Sequence, residues 1–494
     1  MTQLFARKPI SELLAESESS LKRVMGAGDL IMLAIGAVIG AGIFSSIGTA
    51  AAGEVLPSGE VVRYGAGPAL VFSFLLLGAV CALAGLCYAE LASMIPQAGS
   101  AYAYSYATLG ELIAWIIGWD LILEYAVGNI AVAIAWSGYF TSLLSGFGIE
   151  FPAWLTHGYR TALLSSNPEI HGLLQTAPRI AGVPVLLNIP AAIIVLGITW
   201  LLYVGVRESS RANNAMVVVK LLVLGLFVVL GATHIDPANY KPFAPNGWVG
   251  IHQGAAIVFF AYIGFDAIST AAEETRNPQR NMPIGILGGL AICTLIYVIV
   301  GIVATGLVPY TELKAADPLA RALEVAGLTT ASWIVAFGAV VSLTAVLLVF
   351  QYGQPRIFMA MARDGLLPAW AARIHPKYRT PHITTIVTGV VVALGSLVAD
   401  ENEIYDLTNI GTLSAFAIVC IGVLVLRFKD PDRPRPFRVP FVWAVSLIGA
   451  GACLYVMVGL PRQAWVRFGW WLLIGLLLYF AYGYRRSRLR PADR

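Results

Sequence analysis

The sequence predicts an all-α polytopic membrane protein with about twelve transmembrane helices. Three observations predict it. Of the 494 residues, 58% are hydrophobic and only 12% charged, where soluble domains carry about 25% charged residues. Apolar runs recur at the membrane-spanning length of about 20 residues, not at the 4–8 residues of buried strands. The basic residues are also distributed unevenly between alternate loops.

Taken in order, the apolar runs fall near 29–50, 67–91, 104–144, 188–206, 213–232, 250–270, 283–306, 330–360, 383–399, 405–426, 440–460 and 468–484. The segment before them is polar and of mixed charge, with Arg7, Lys8, Glu12, Glu16, Glu18, Lys22 and Arg23. It has no small-residue cleavage site, so the first run is expected to stay as a span and not to be removed as a signal peptide. With the N-terminus inside, 22 of the 32 Lys and Arg fall in inside segments, 8 in outside segments and 2 within spans. The positive-inside rule then places both termini in the cytoplasm of a cell-membrane protein. A nucleic-acid surface is the other reading of so many arginines, but they sit in short loops without an aromatic platform. The longest outside loop, about 146–187, reads as partly ordered.

Cys81, Cys87, Cys293, Cys420 and Cys453 all lie inside apolar runs, with the spacing of neither a zinc cage nor a disulfide framework. They read as small packing residues. The six histidines are scattered, and no cofactor or metal site is expected.

The first run contains Gly36-Ala37-Val38-Ile39-Gly40-Ala41-Gly42-Ile43-Phe44, and the sixth Phe259-Phe260-Ala261-Tyr262-Ile263-Gly264-Phe265-Asp266-Ala267. Glycine is a poor helix former, although small residues also let membrane helices pack closely. The two sites lie at corresponding depths five spans apart, so a second copy of the motif would be inverted in the membrane. Paired interrupted helices of this kind point to a transporter binding site. A midplane break exposes backbone N–H groups at one new end and carbonyls at the other, which suits a zwitterion.

These stretches, with Glu273-Glu274-Thr275-Arg276-Asn277-Pro278-Gln279-Arg280, Ala362-Arg363-Asp364-Gly365-Leu366-Leu367-Pro368 and Arg435-Pro436-Phe437-Arg438-Val439-Pro440, make the chain resemble the amino acid–polyamine–organocation superfamily. Within it, the chain is most similar to the cationic amino acid transporter family and its bacterial members. The resemblance implies a leucine-transporter-like fold of two inverted five-helix repeats, 29–232 and 250–426, plus two extra helices within 440–484. A cytoplasmic segment 1–28 precedes them and a basic tail 485–494 follows. It also implies proton-coupled uptake of an L-amino acid by alternating access. Val38, Ala41 and Gly42 would hold the substrate backbone from the first span, and Phe260, Ala261 and Ile263 from the sixth. The family often has a hydroxyl residue where this chain has Ala41.

Ionisable residues inside spans are costly and are functional candidates. Lys220 has no acidic residue within a helical turn, so its partner must come from another span; a lysine snorkelling to the interface is the alternative. The resemblance suggests that it bonds first-span carbonyls and releases them on losing its proton. Glu124 shares a helix face with Asp120; by family position it lies closest to the substrate, where it is expected either to take up a proton or to face a cationic substrate. Asp266 is expected either to cap the helix after Gly264 or to carry a proton. Asp120 and Glu111 serve equally well as internal hydrogen-bond partners, and Arg356, Arg363 and Asp364 as a cytoplasmic gating or packing cluster. Phe350 aligns with a position that tunes substrate size. Its bulk favours small neutral substrates such as alanine over arginine or lysine, with a packing role as the alternative.

The rivals are a cationic amino acid transporter, an exchanger or a sodium symporter on the same fold (Lys220 argues against sodium), a 6+6 facilitator, a membrane enzyme and a channel. A facilitator usually has a long loop after its sixth span; an enzyme needs a nucleophile–base pair or metal cluster, and a channel a polar ring. The sequence leaves open a small membrane subunit or a bound lipid as a further partner.

Overall fold

The computed structural model describes residues 4–10, 25–95, 100–205 and 210–489. Residues 1–3 and 11–24 of the N-terminal segment, and 490–494 of the basic tail, lie outside the described residues. Eight helices are long and apolar enough to cross a membrane. A bent pair, Ala27–Val38 with Gly42–Ala52, and three shorter apolar helices bring the set to twelve among the described residues.

The first span is the bent pair. The second to sixth are Gly67–Met94, Glu111–Ser145, Ile189–Val204, Ser210–Ala232 and Gly247–Ser269. The seventh to twelfth are Pro278–Leu307, Thr329–Arg363, His382–Val398, Glu401–Lys429, Val442–Val458 and Arg462–Arg486. In the third, sixth and tenth spans 78% of the most apolar stretch is buried, against 33% in the fifth and 22% in the twelfth. The first group therefore forms the centre of the bundle and the second its rim. Rim residues such as Leu222 (67% exposed) and Leu477 (62%) present apolar surface to hydrocarbon, the solvent in which such a surface costs nothing.

The third apolar run does not form one helix over 104–144. A separate helix, Ser100–Thr108, ends before Gly110, and the span begins at Glu111. Gly110 has φ +108°, and a Cβ there would lie 2.7 Å from the backbone of Phe5, so the break also makes room for the N-terminal segment. That segment docks through Lys8, whose ammonium lies 2.9 Å from Asp364 at the end of the eighth span. The Tyr102 hydroxyl donates to the same carboxylate at 2.7 Å.

The loop 146–187 is more ordered than its composition suggests. It holds helices Tyr159–Leu164 and Pro168–Thr176 and a hairpin of β3 (Arg179–Ile180) with β4 (Val183–Pro184), after an earlier hairpin of β1 (Gly53–Val55) with β2 (Val61–Tyr64). Ala162, Ala177 and Leu186 form a small core of its own. All five cysteines are free and buried.

Candidate functional site

The first span loses its helix at Ile39, whose ψ of 100° is extended. A π-turn, Gly42–Ser46, restarts the helix, and the two pieces are bent by 46°. The sixth span passes from α-helix to a 3-10 turn at Phe259–Tyr262 and is extended at Ile263. It turns at Gly264 with φ +109° and resumes as a 3-10 helix at Asp266. The two breaks touch. A Cβ on Gly42 would stand 2.1 Å from the Ala261 Cα, and one on Gly264 would stand 3.1 Å from the Ala37 carbonyl. Two glycines are needed because two backbones cross here without side chains between them.

Breaking a helix frees carbonyls, and buried carbonyls need donors. Lys220, fully buried on the fifth span, donates at 2.8 Å to both the Gly36 and Ile39 carbonyls. The Ser342 hydroxyl reaches the Ile39 oxygen at 3.4 Å. Tyr297 of the seventh span donates between the Val38 carbonyl at 3.0 Å and the Ala261 carbonyl at 2.7 Å, one oxygen from each broken helix. Tyr139 donates to Phe44 at 2.5 Å. Asn409 of the tenth span donates to Ala256 and Ile257 just before the second break. The snorkelling alternative for Lys220 does not hold, since its ammonium points inward to backbone.

Glu124 sits in a second π-turn, Leu123–Val127, and accepts from Thr412 at 3.3 Å. Asp266 accepts from Ser100 at 3.4 Å, and its carboxyl lies within hydrogen-bonding reach of that of Glu124. One oxygen of each has no donor among the described residues. Asp266 is the first residue of the 3-10 helix, with Phe265 in the capping position, and its carboxyl folds back on its own N–H and that of Ala267. Asp120 accepts from Ser414 at 3.0 Å. Glu111 is held apart from the breaks by Tyr106, Tyr479 and Ser487.

Phe350 packs its ring 5.6 Å from Tyr125, and Phe260 lies 4.5 Å from Tyr405. Val38, Ala41, Phe260, Ala261, Ile263, Phe350, Lys220, Glu124 and Asp266 are all at most 4% exposed, so the junction is closed toward both ends of the bundle. Toward the β1–β2 end, Tyr405 bonds Glu401, which also accepts from Ser45 at 2.6 Å. Arg63 of β2 is ion-paired with Glu54 at 2.8 Å and with Asp406 at 2.6 Å, fastening the hairpin to the tenth span. Of Arg356, Arg363 and Asp364, Arg356 lies over the Tyr352 ring and Asp364 pairs with Lys8.

Sequence reasoning did not single out Tyr297, Tyr139, Asn409, Arg63 or Glu401. A polar atom on an apolar run is the signal that could have flagged Tyr297 and Asn409.

A family model for amino acid permeases matches residues 27–481. A methylthioribose transporter of Bacillus subtilis is 45% identical over 99% of this chain and 100% of that protein. The branched-chain amino acid permease BcaP of the same organism is 44% identical, over 98% of this chain and 99% of its own length. The vacuolar cationic amino acid transporter 4 of Arabidopsis thaliana is 37% identical, over 87% of this chain and 68% of that protein. With two broken helices crossing at its centre and this similarity along nearly its whole length, the chain belongs to the amino acid permease family of the amino acid–polyamine–organocation superfamily.

Proposed function

We propose that the chain is a proton-coupled L-amino acid symporter of the cytoplasmic membrane, with both termini in the cytoplasm, importing small neutral amino acids such as alanine by alternating access. The observation that carries the reading is the Lys220 ammonium bridging the Gly36 and Ile39 carbonyls at 2.8 Å each. A charged donor holds the end of the first helix; on losing its proton the amine loses the charge that makes those bonds strong, and the helix end is freed to move. A buried lysine changes protonation more readily than an arginine would.

In this reading, segments 29–232 and 250–426 are inverted repeats whose first helices are the broken ones, and the helices of 440–484 flank them. Backbone N–H groups at Ala41 and Gly42 receive the substrate carboxylate. Carbonyls at Val38, Phe260, Ala261 and Ile263 receive its ammonium. Glu124 and Asp266, whose carboxyls meet below the breaks, hand the proton on toward the end that carries the basic loops. Phe350 closes the side-chain end of the site and sets the size of what enters.

A second reading is a cationic amino acid carrier or an exchanger. Glu124, a buried carboxyl one oxygen of which has no donor among the described residues, is the observation in its favour, because it could receive a cationic side chain. The names of the relatives widen the panel to branched-chain amino acids and methylthioribose. The test is uptake into proteoliposomes of radiolabelled alanine, valine, arginine and methylthioribose, with and without an inward proton gradient. Gradient-driven accumulation of alanine is expected. Uptake only into preloaded vesicles identifies an exchanger, and arginine uptake above alanine overturns the assignment of substrate class.

A further inference from the structure

The seventh span begins at Pro278, and its first turns open onto a cavity of about 620 Å³. One wall is the face that carries Arg280, Pro283, Ile284 and Leu287. The other is Pro436 and Phe437, from the loop between the tenth and eleventh spans. Nothing in the carrier cycle proposed above uses this cavity. It lies on the outside of the bundle, at the end where Arg427 and Lys429 close the tenth span and Arg433, Arg435 and Arg438 follow in the connecting loop.

Three features of the groove describe the molecule that would fill it. The walls are apolar except at the mouth, where Arg280 is the one charged lining residue. Arg280 is exposed and has no ion-pair partner among the described residues. The groove also runs into the membrane-facing stripe of the same helix: Ile284 is 41% exposed, Ile292 38%, Leu295 61% and Ile299 37%, spaced three, four or eight apart and hence on one face. From Arg280 to Leu295 the helix rises about 22 Å at 1.5 Å per residue, from the headgroup level well into the hydrocarbon.

We propose that this groove binds one anionic phospholipid from the leaflet on the basic-loop side, its phosphate on Arg280 and an acyl chain between Leu287 and Phe437 that continues along Ile284 and Leu295. Charge at the mouth, an apolar floor and an open side toward lipid match an anionic amphiphile. A zwitterionic lipid offers the same chain but cancels the attraction to Arg280, and a soluble anion offers no match to the apolar floor. Basic residues at the cytoplasmic ends of helices recognise anionic headgroups by this physics, at about 1 kcal/mol for each Lys or Arg near the surface, or about fivefold in affinity.

The test is native mass spectrometry of the full-length protein, delipidated in detergent and titrated with phosphatidylglycerol or phosphatidylcholine. One tightly held phosphatidylglycerol is expected, bound at least about fivefold tighter than phosphatidylcholine. Arg280→Gln, at an exposed position that does not endanger folding, is expected to bring phosphatidylglycerol down to the phosphatidylcholine level. Ile284→Trp, at a half-exposed position, is expected to fill the groove and weaken both lipids. Arg462→Gln at the opposite end of the bundle should change neither. The proposal is overturned if Arg280→Gln retains phosphatidylglycerol, if the two lipids bind alike to the native chain, if Arg462→Gln loses the adduct equally, or if millimolar inorganic phosphate displaces the lipid.

Discussion

Tyr297→Phe isolates what one hydroxyl does between the two broken helices. The Tyr297 ring packs 5.5 Å from that of Phe74 and 5.4 Å from that of Tyr262, and phenylalanine keeps those contacts. The hydroxyl has one proton and faces two carbonyls, Val38 at 3.0 Å and Ala261 at 2.7 Å, so it satisfies one of them at a time. Removing it deletes one net hydrogen bond and leaves a buried carbonyl without a donor, at a cost of about 1–3 kcal/mol. Tyr262→Phe is the matched control, because that residue also lies at the second break but its hydroxyl donates to the Phe74 carbonyl of the second span, at 2.8 Å, and not to a carbonyl of the first broken helix. Chemical or thermal unfolding of the purified protein in detergent reads the first effect, and initial uptake rates read the second. Tyr297→Phe is expected to lower stability by the amount given and to slow uptake, while Tyr262→Phe lowers stability alone. A Tyr297→Phe protein with unchanged stability and native uptake would refute the idea that this hydroxyl ties the breaks together.

Lys220→Met removes the ammonium from the Gly36 and Ile39 carbonyls; proton-driven accumulation is expected to disappear while exchange between preloaded vesicles continues, and full accumulation would take Lys220 out of the mechanism. Phe350→Ser deletes the ring beside Tyr125 and is expected to admit arginine as a competitor of alanine uptake; continued exclusion of arginine with alanine uptake intact would contradict the assignment of pocket size. Asp400 stands just before the tenth span, where burial, and then the nearby Glu54, push its carboxyl up to about 7. The native chain therefore holds that proton more tightly than the unfolded chain does, and the linked stability falls as pH rises from about 4 to about 7, by at most about 4 kcal/mol. Asp400→Asn keeps an oxygen for the Asn402 and Glu403 N–H groups, so its melting temperature should depend less on pH across that window and exceed the native value at pH 8; an unchanged pH slope would exclude Asp400 as the source.

The spans were legible because a bilayer sets their length, and apolar composition needs no partner to be read. The two breaks were legible because Gly42 and Gly264 answer to backbone geometry, which leaves a mark on the residue itself. The third span was misjudged at 104–144 because Tyr104 and Tyr106 continue its apolar character through Gly110. Only the approach of Phe5, more than a hundred positions earlier, shows why the helix must stop there. The hydroxyl of Tyr297 on an apolar run was a signal, but its role was hidden for a related reason. Its acceptors are backbone oxygens, which no sequence pattern records, and its ring reads as packing. Arg63 reads as an ordinary loop arginine until Asp406, 343 positions away, is seen 2.6 Å from it.

The donors at the breaks divide the work between shape and distance. Gly36 and Ile39 lie three residues apart on one helix, so Lys220 grips the last turn of that helix and sets where it ends. Val38 and Ala261 belong to different helices, so Tyr297 sets how closely the two breaks approach. A hydroxyl bond is neutral and worth about 1 kcal/mol net, whereas an ammonium doubles the strength of each bond it makes and loses that increment with its proton. In the proposed cycle, a change of protonation at Lys220 acts on the Gly36 and Ile39 carbonyls and not on the oxygens that Tyr297 holds. The Tyr297 bonds at the crossing carry no charge that this step removes, and the Arg63 pairs with Glu54 and Asp406 tie the hairpin that follows the first span to the tenth. On the proposed reading, a proton changes the form of one broken helix without taking apart the junction proposed to bind the substrate.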